Sequence, residues 1–153
     1  MNRLKLFHLE WCEGNLIHEY GYDTIIERNE KGNIYLQCLI NNVSQRIDLT
    51  GKEDEFIGSI VKSNISKLNG KKYSSDWWDG FIWNLDIAYD DVVIRTRGDN
   101  AYPPEFRSLI DTLFNQWKLK KVTVIDFESK AHENNYNVEQ LSAEELTWPS
   151  YML

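Results

Sequence analysis

Positive charge is scarce in this chain: 17 Lys and Arg face 24 Asp and Glu, leaving a formal net charge of -7 and a pI near 5.0. A sequence-independent binder of duplex DNA presents a basic face to phosphates, so the balance argues against that class. Cysteine is scarcer still. Cys12 and Cys38 are the only two, they form no C-x-x-C unit, and they read as free thiols rather than a disulfide framework. The three histidines, His8, His18 and His132, lie far apart and no H-E-x-x-H occurs, so no metal centre is expected. Long apolar runs are also missing. His8, Glu10 and Glu13 interrupt the run that follows Met1, so this end reads as neither signal peptide nor membrane span, and a cytoplasmic location is expected. The chain has no G-x-x-x-x-G-K-[ST], no G-x-S-x-G and no dinucleotide glycine fingerprint, and no cofactor is expected.

What the chain does have is apolar material, 42% of its 153 residues with 13% aromatic, enough to build a sizeable core. Its organising stretch runs from Asp79 to Trp117. Phe81, Trp83, Leu85, Ile87 and Tyr89 alternate with residues that include Asn84 and Asp86, the period of a strand buried on one face. Asp90 and Asp91 interrupt it, and Val92 to Arg97 resumes as the second strand of an antiparallel hairpin. Gly98-Asp99-Asn100 supplies residues that take positive φ readily, and Pro104 suits a first helical position. Phe106, Leu109, Ile110, Leu113, Phe114 and Trp117 then recur at helical spacing, the apolar stripe of an amphipathic helix.

Within this stretch, Asp79-Gly80, Trp83-Asn84-Leu85, Ile87, Gly98, Asn100-Ala101-Tyr102-Pro103 and Phe106 spell a compound motif, Asp-Gly-x-x-Trp-x-Leu-x-Ile followed by Gly-x-Asn-Ala-Tyr-Pro-x-x-Phe. The motif resembles that of a family of small uncharacterised proteins frequent in Gram-positive bacteria. The resemblance spans Asp79 to Phe106 and implies no catalytic assignment.

Elsewhere, Arg3 to Trp11 places Phe7, Leu9 and Trp11 in one phase and Leu4, Leu6 and His8 in the other, which reads as an edge or partly covered strand. Tyr22 to Arg28 and Ile34 to Ile40 flank Asn29-Glu30-Lys31-Gly32-Asn33, the clearest hairpin signal in the chain. Thr50-Gly51-Lys52-Glu53 has capping-box spacing. It predicts a helix with Phe56, Ile57, Ile60, Val61, Ile65 and Leu68 as its stripe, closed by Asn69-Gly70. Lys71 to Ser75 reads as an exposed connection, Lys120 to Glu128 as a further strand, and Ser142 to Glu145 as a capped turn of helix. Because hairpin, connection and helix occur twice, the expected fold class is α+β: an antiparallel sheet built from two ββα units with both helices packed on one face. Residues 1–128 read as a single α+β domain. Residues 129–153 read as a C-terminal tail docking on the domain or on a partner, because Leu146, Trp148, Tyr151, Met152 and Leu153 crowd apolar groups there.

Candidate partner-binding residues follow from loop position and chemistry. Trp77 and Trp78 fall in a loop where exposed aromatic rings suit a protein partner, and Trp148 and Tyr151 do the same in the tail. Asp99, Asn100 and Tyr102 join them at the motif turn, against the structural alternative of a fixed strand-to-helix connection. Asp86 is the sharpest single carboxylate, since it lies mid-strand, but its polar phase predicts a solvent-facing side chain. No catalytic and no metal-binding residue is assigned. The expected function is a small intracellular, non-enzymatic protein-interaction module of bacterial or prophage inhibitor or immunity type, monomeric or weakly associated. Two alternatives stay open: an enzyme of unrecognised type using carboxylates near the Gly98–Phe106 turn, and an acidic nucleic-acid mimic inhibiting a nucleic-acid-processing enzyme. Neither duplex nucleic acid nor a membrane is expected as partner.

Overall fold

The computed structural model describes residues 3–13, 21–40, 43–75, 81–120 and 136–147. Among these, eight strands form one sheet: β1 (Leu4–Glu13), β2 (Gly21–Arg28), β3 (Ile34–Ile40), β4 (Val43–Asp48), β5 (Lys71–Ser74), β6 (Phe81–Tyr89), β7 (Val92–Asp99) and β8 (Asn137–Gln140). The helices are α1 (Glu53–Lys62), α2 (Pro104–Asn115) and the one-turn α3 (Ala143–Leu146), with a 3-10 helix at Ile65–Leu68. Strand order across the sheet is β4-β3-β2-β1-β6-β7-β5-β8. All neighbours pair antiparallel except β5 and β7, which are parallel. No helix among the described residues is long and apolar enough to cross a membrane.

This topology corrects the expected antiparallel sheet of two ββα units. The two hairpins, β2–β3 and β6–β7, exist, but β1 lies between them and pairs with both β2 and β6. The sheet is mixed because β5 joins it parallel to β7. Of the two readings of Arg3 to Trp11, the edge strand falls with it and the partly covered strand holds. His8 and Glu10 mimic an edge pattern, yet they lie on the uncovered face of an interior strand. Lys71 to Ser75 is largely strand rather than an exposed connection, and its one buried apolar residue, Tyr73, is too little for periodicity to reveal. The same holds for β4, where Val43, Ser44 and Arg46 give no apolar alternation. The strand expected at Lys120 to Glu128 lies almost wholly outside the described residues.

One face of the sheet is built to be covered. Phe7, Leu9 and Trp11 of β1, Tyr22 of β2, Leu36 and Cys38 of β3, and Phe81, Trp83, Leu85 and Ile87 of β6 are all buried. A bulge between Leu4 and Leu6 shifts the β1 register, which turns Leu4 onto this same face opposite Tyr89. Both long helices pack here: Phe56 of α1 meets Phe7 edge-on at 5.3 Å, and Phe106 of α2 stacks on Trp83 at 4.0 Å. Trp117, just beyond α2, closes the gap by packing on Phe56 at 5.2 Å and donating its indole N–H to Ser59 Oγ at 3.0 Å.

The capping expectation at α1 also changes. Lys52 is the N-cap and makes no side-chain cap bond. Thr50 Oγ1 instead accepts from the Ile34 amide at 3.1 Å. Glu53 Oε2 reaches away from its own helix to accept the Arg3 and Leu4 amides at 2.6 and 2.8 Å, while Arg28 donates to Glu53 Oε1 at 2.8 Å. A long-range clamp to the start of β1 thus replaces the local box. The apolar stripe itself is interrupted at Asn64, in the left-handed region at φ 61°, so Ile65 and Leu68 belong to the 3-10 helix and Val61 stays exposed.

Candidate functional site

The motif turn is the first place to look, and it is packed solid. Gly98 sits directly across from Trp83, and a Cβ on Gly98 would lie 1.9 Å from the indole, so only glycine lets the ring lie flat over the neighbouring strand. Trp83 Nε1 donates to the Ala101 carbonyl at 2.8 Å. Asn100 takes φ 59°; its amide donates to the Phe81 carbonyl at 2.8 Å, and its Oδ1 accepts the Phe81 amide at 2.9 Å. Its carbonyl also accepts from Ser75 Oγ. Tyr102 is buried and stacks on Phe81 at 3.9 Å, with Phe106 beyond it. Asp99 is half-buried at the end of β7, where its Oδ1 accepts from Asn100 Nδ2 at 3.1 Å. The described motif residues therefore hold the β7-to-α2 connection against β6. Trp77, Trp78, Trp148 and Tyr151 lie outside the described residues.

The helix side offers a groove of about 340 Å³ lined by Glu55, Ser59, Lys62, Ser63, Thr112 and Gln116. Its polar groups are largely engaged with one another, since Gln116 Nε2 donates to Glu55 Oε1 at 3.2 Å and Ser59 Oγ bonds Gln116 Oε1 at 3.3 Å. These contacts tie α1 to the end of α2.

The richer chemistry lies on the opposite face of the sheet, away from α1 and α2. Strand alternation brings His8, Glu10 and Cys12 of β1, Asp23, Ile25 and Glu27 of β2, Leu39 of β3, Asn84 and Asp86 of β6, and Arg95 and Arg97 of β7 to this side. Asp86 is not solvent-facing as its polar phase suggests. Its side chain is 6% exposed, accepts from Arg97 Nη1 at 2.8 Å and lies 3.3 Å from Arg95 Nε. Arg95 Nη1 in turn donates to the Thr147 carbonyl at 3.0 Å. Lys72 and Arg97 also lie near enough to act on Glu145, whose carboxyl is lowered first by its bonds with Ser142 and then by these charges. Through these contacts α3 lies against the cationic half of the face. It is anchored there by β8 pairing with β5, by Tyr136 packing on Tyr73 at 5.3 Å and by the buried Leu141.

What stays open is the other half. Asp23 and Glu10 are 55% and 49% exposed, and His8 Nε2 is hydrogen-bonded to Asp23 Oδ1 at 2.9 Å. Beside them Ile25 and Leu39 are 46% and 47% exposed, large aliphatic groups set diagonally across β2 and β3. Sequence reasoning missed this surface. Period-two spacing does place His8 with Glu10, but bringing Asp23, Ile25 and Leu39 alongside requires the β1–β2–β3 register. The two cysteines are free and lie on opposite sides, Cys12 on this face and Cys38 in the core. Burial pushes the Cys38 thiol up to about 11, so it is no nucleophile at neutral pH. Comparison with protein-family models, with curated proteins and with solved structures finds no match to the chain.

Proposed function

We propose that this chain is a small, non-enzymatic protein-interaction module of bacterial inhibitor or immunity type, working in the cytoplasm and docking a partner on the sheet face opposite α1 and α2. The observation that carries the reading is the composition of the open half of that face. Ile25 and Leu39 offer apolar contact, Glu10, Asp23 and Glu27 flank them with negative charge from β1 and β2, and Arg46, stacked over Tyr35, borders them from β4. Apolar anchors inside a charged rim are the usual anatomy of a protein-binding patch. The matching partner surface is apolar at its centre and basic at its edge, which also agrees with the net charge of -7. The resemblance of the Asp79 to Phe106 motif to small Gram-positive proteins supports a bacterial setting.

The alternative of carboxylate catalysis at the Gly98–Phe106 turn loses support, because stacked rings and closed hydrogen bonds fill that turn. Affinity capture with the tagged chain from a bacterial host tests the proposal. One stoichiometric protein with a basic surface is expected on the wild-type chain, weakened at high salt and absent from a folded Leu39→Asp variant. Equal recovery of that protein on Leu39→Asp, or turnover of a small molecule by the purified chain, would contradict it.

A further inference from the structure

His8, Glu10 and Asp23 lie within the open half of the sheet face, but their mutual geometry carries a conclusion independent of any protein partner. The three side chains come from two adjacent strands. His8 and Glu10 are two residues apart on β1, and Asp23 on β2 is directly opposite Glu10. Their ligand atoms all fall within 4.8 Å of one another, with His8 Nε2 at 2.9 Å from Asp23 Oδ1 and 3.6 Å from Glu10 Oε1. Donors bound about 2.1 Å from one cation at octahedral or tetrahedral angles are themselves about 3.0–3.4 Å apart, so two of the three edges are already near coordination length.

Electrostatics point the same way. Glu10 and Asp23 are like charges placed directly across from one another on neighbouring strands, an arrangement that is destabilising without a cation between them. The other nearby carboxylate, Asp86, is across from His8 on the far side of β1, but Arg97 and Arg95 hold it. It therefore stays out of the ligand set, which leaves further coordination positions to water. One imidazole nitrogen with two carboxylates suits a borderline first-row cation better than Ca²⁺, which takes six to eight oxygens, or Mg²⁺, which favours water and oxygen.

We propose that His8, Glu10 and Asp23 form a three-ligand site for one divalent first-row transition cation, of which Zn²⁺ is the probe. Both strands are continuous through the site, so its ligands are preorganised by the sheet rather than by a loop.

Isothermal titration of the full chain with Zn²⁺, backed by competition against a chromophoric chelator, tests this. One equivalent is expected to bind. His8→Ala and Asp23→Asn should each weaken binding by at least roughly ten-fold, the scale on which even outer-sphere partners of a metal matter. His18→Ala and Cys12→Ser should leave it unchanged, which separates this site from the chain's other histidines and thiols. Zn²⁺ should also raise the melting temperature of the wild-type chain and not that of Asp23→Asn, because a cation bound only to the folded form stabilises it. Asp23 is exposed, so Asp23→Asn keeps the fold and remains a fair test even if His8→Ala does not. The proposal is overturned if the wild-type chain binds no Zn²⁺, or if Asp23→Asn binds it as tightly as wild type. Equal partner capture by wild type and Leu39→Asp, with Zn²⁺ binding intact in both, would count against the docking reading alone.

Discussion

Replacing Gly98 by alanine puts a methyl group where the Trp83 indole already is. The added Cβ would lie 1.9 Å from Cε2 and from Nε1, far inside van der Waals contact, and the ring has nowhere to retreat. Trp83 is fully buried, stacks on Phe106 at 4.0 Å with 14° between the planes, and donates to the Ala101 carbonyl. Overpacking of this kind costs about 1–3 kcal/mol. If the indole rotates to escape, its stranded donor and acceptor add about 1–3 kcal/mol more. Gly98→Ala should therefore destabilise the chain by about 1–6 kcal/mol in urea unfolding followed by far-UV circular dichroism. The cause can be isolated with a double-mutant cycle. Trp83→Leu removes the ring, so alanine at position 98 should cost less in that background, with a coupling of about 1 kcal/mol or more. An unchanged midpoint for Gly98→Ala, or a cycle that is additive, would refute the reasoning.

Three further outcomes follow from the same structure. Asp86→Ala leaves Arg95 and Arg97, 12% and 17% exposed, without the carboxylate between them, and should cost about 3–5 kcal/mol as a broken buried pair; a wild-type midpoint would contradict this. Burial raises the Glu53 carboxyl, but the Leu4 amide, Arg28 and the Arg3 amide outweigh it and hold the group below its ordinary value of 4.5. A depressed carboxylate contributes stability that is fully present above the ordinary value and lost as pH falls through the folded one. Unfolding curves below pH 4.5 should accordingly show a smaller acid slope in Glu53→Gln than in wild type, and equal slopes would count against the clamp. Finally, thiol labelling of a Cys12→Ser variant near neutral pH should modify Cys38 only after denaturation, since burial holds the thiol up to about 11, and rapid labelling of that native variant would overturn its core placement.

The strands and helices with strong periodicity were legible in the sequence. Phe81 to Tyr89 is legible because Phe81, Trp83, Leu85 and Ile87 are all buried on one face while Asn84 and the buried, ion-paired Asp86 fall on the other, and the Pro104 helix shows its stripe because Phe106, Leu109, Ile110 and Leu113 are all buried. The sheet order was not legible. Whether β1 lies at an edge or between two hairpins depends on pairing partners that are distant in sequence, and His8 and Glu10 carry the same pattern in either place. Polar strands such as β4 and β5 are held by main-chain pairing rather than by an apolar face, so their side chains announce nothing. The motif turn was legible from Asn100 and Pro104, but Gly98, expected in the turn, belongs to β7, and its role emerged only with Trp83 laid across it. The open acidic and apolar patch was invisible for the reason β1 was: it is assembled from three strands by register.

We propose that a partner binds this patch and not the helix side. The most direct measurement compares two exposed aliphatic residues on opposite sides of the sheet by calorimetric titration of the captured partner. Leu39, 47% exposed, lies on the proposed face, and Val61, 54% exposed, lies on α1. Leu39→Asp is expected to weaken binding by at least about tenfold, or 1.4 kcal/mol, while Val61→Asp leaves it within about twofold. Loss of binding in Val61→Asp with Leu39→Asp unaffected would contradict the claim.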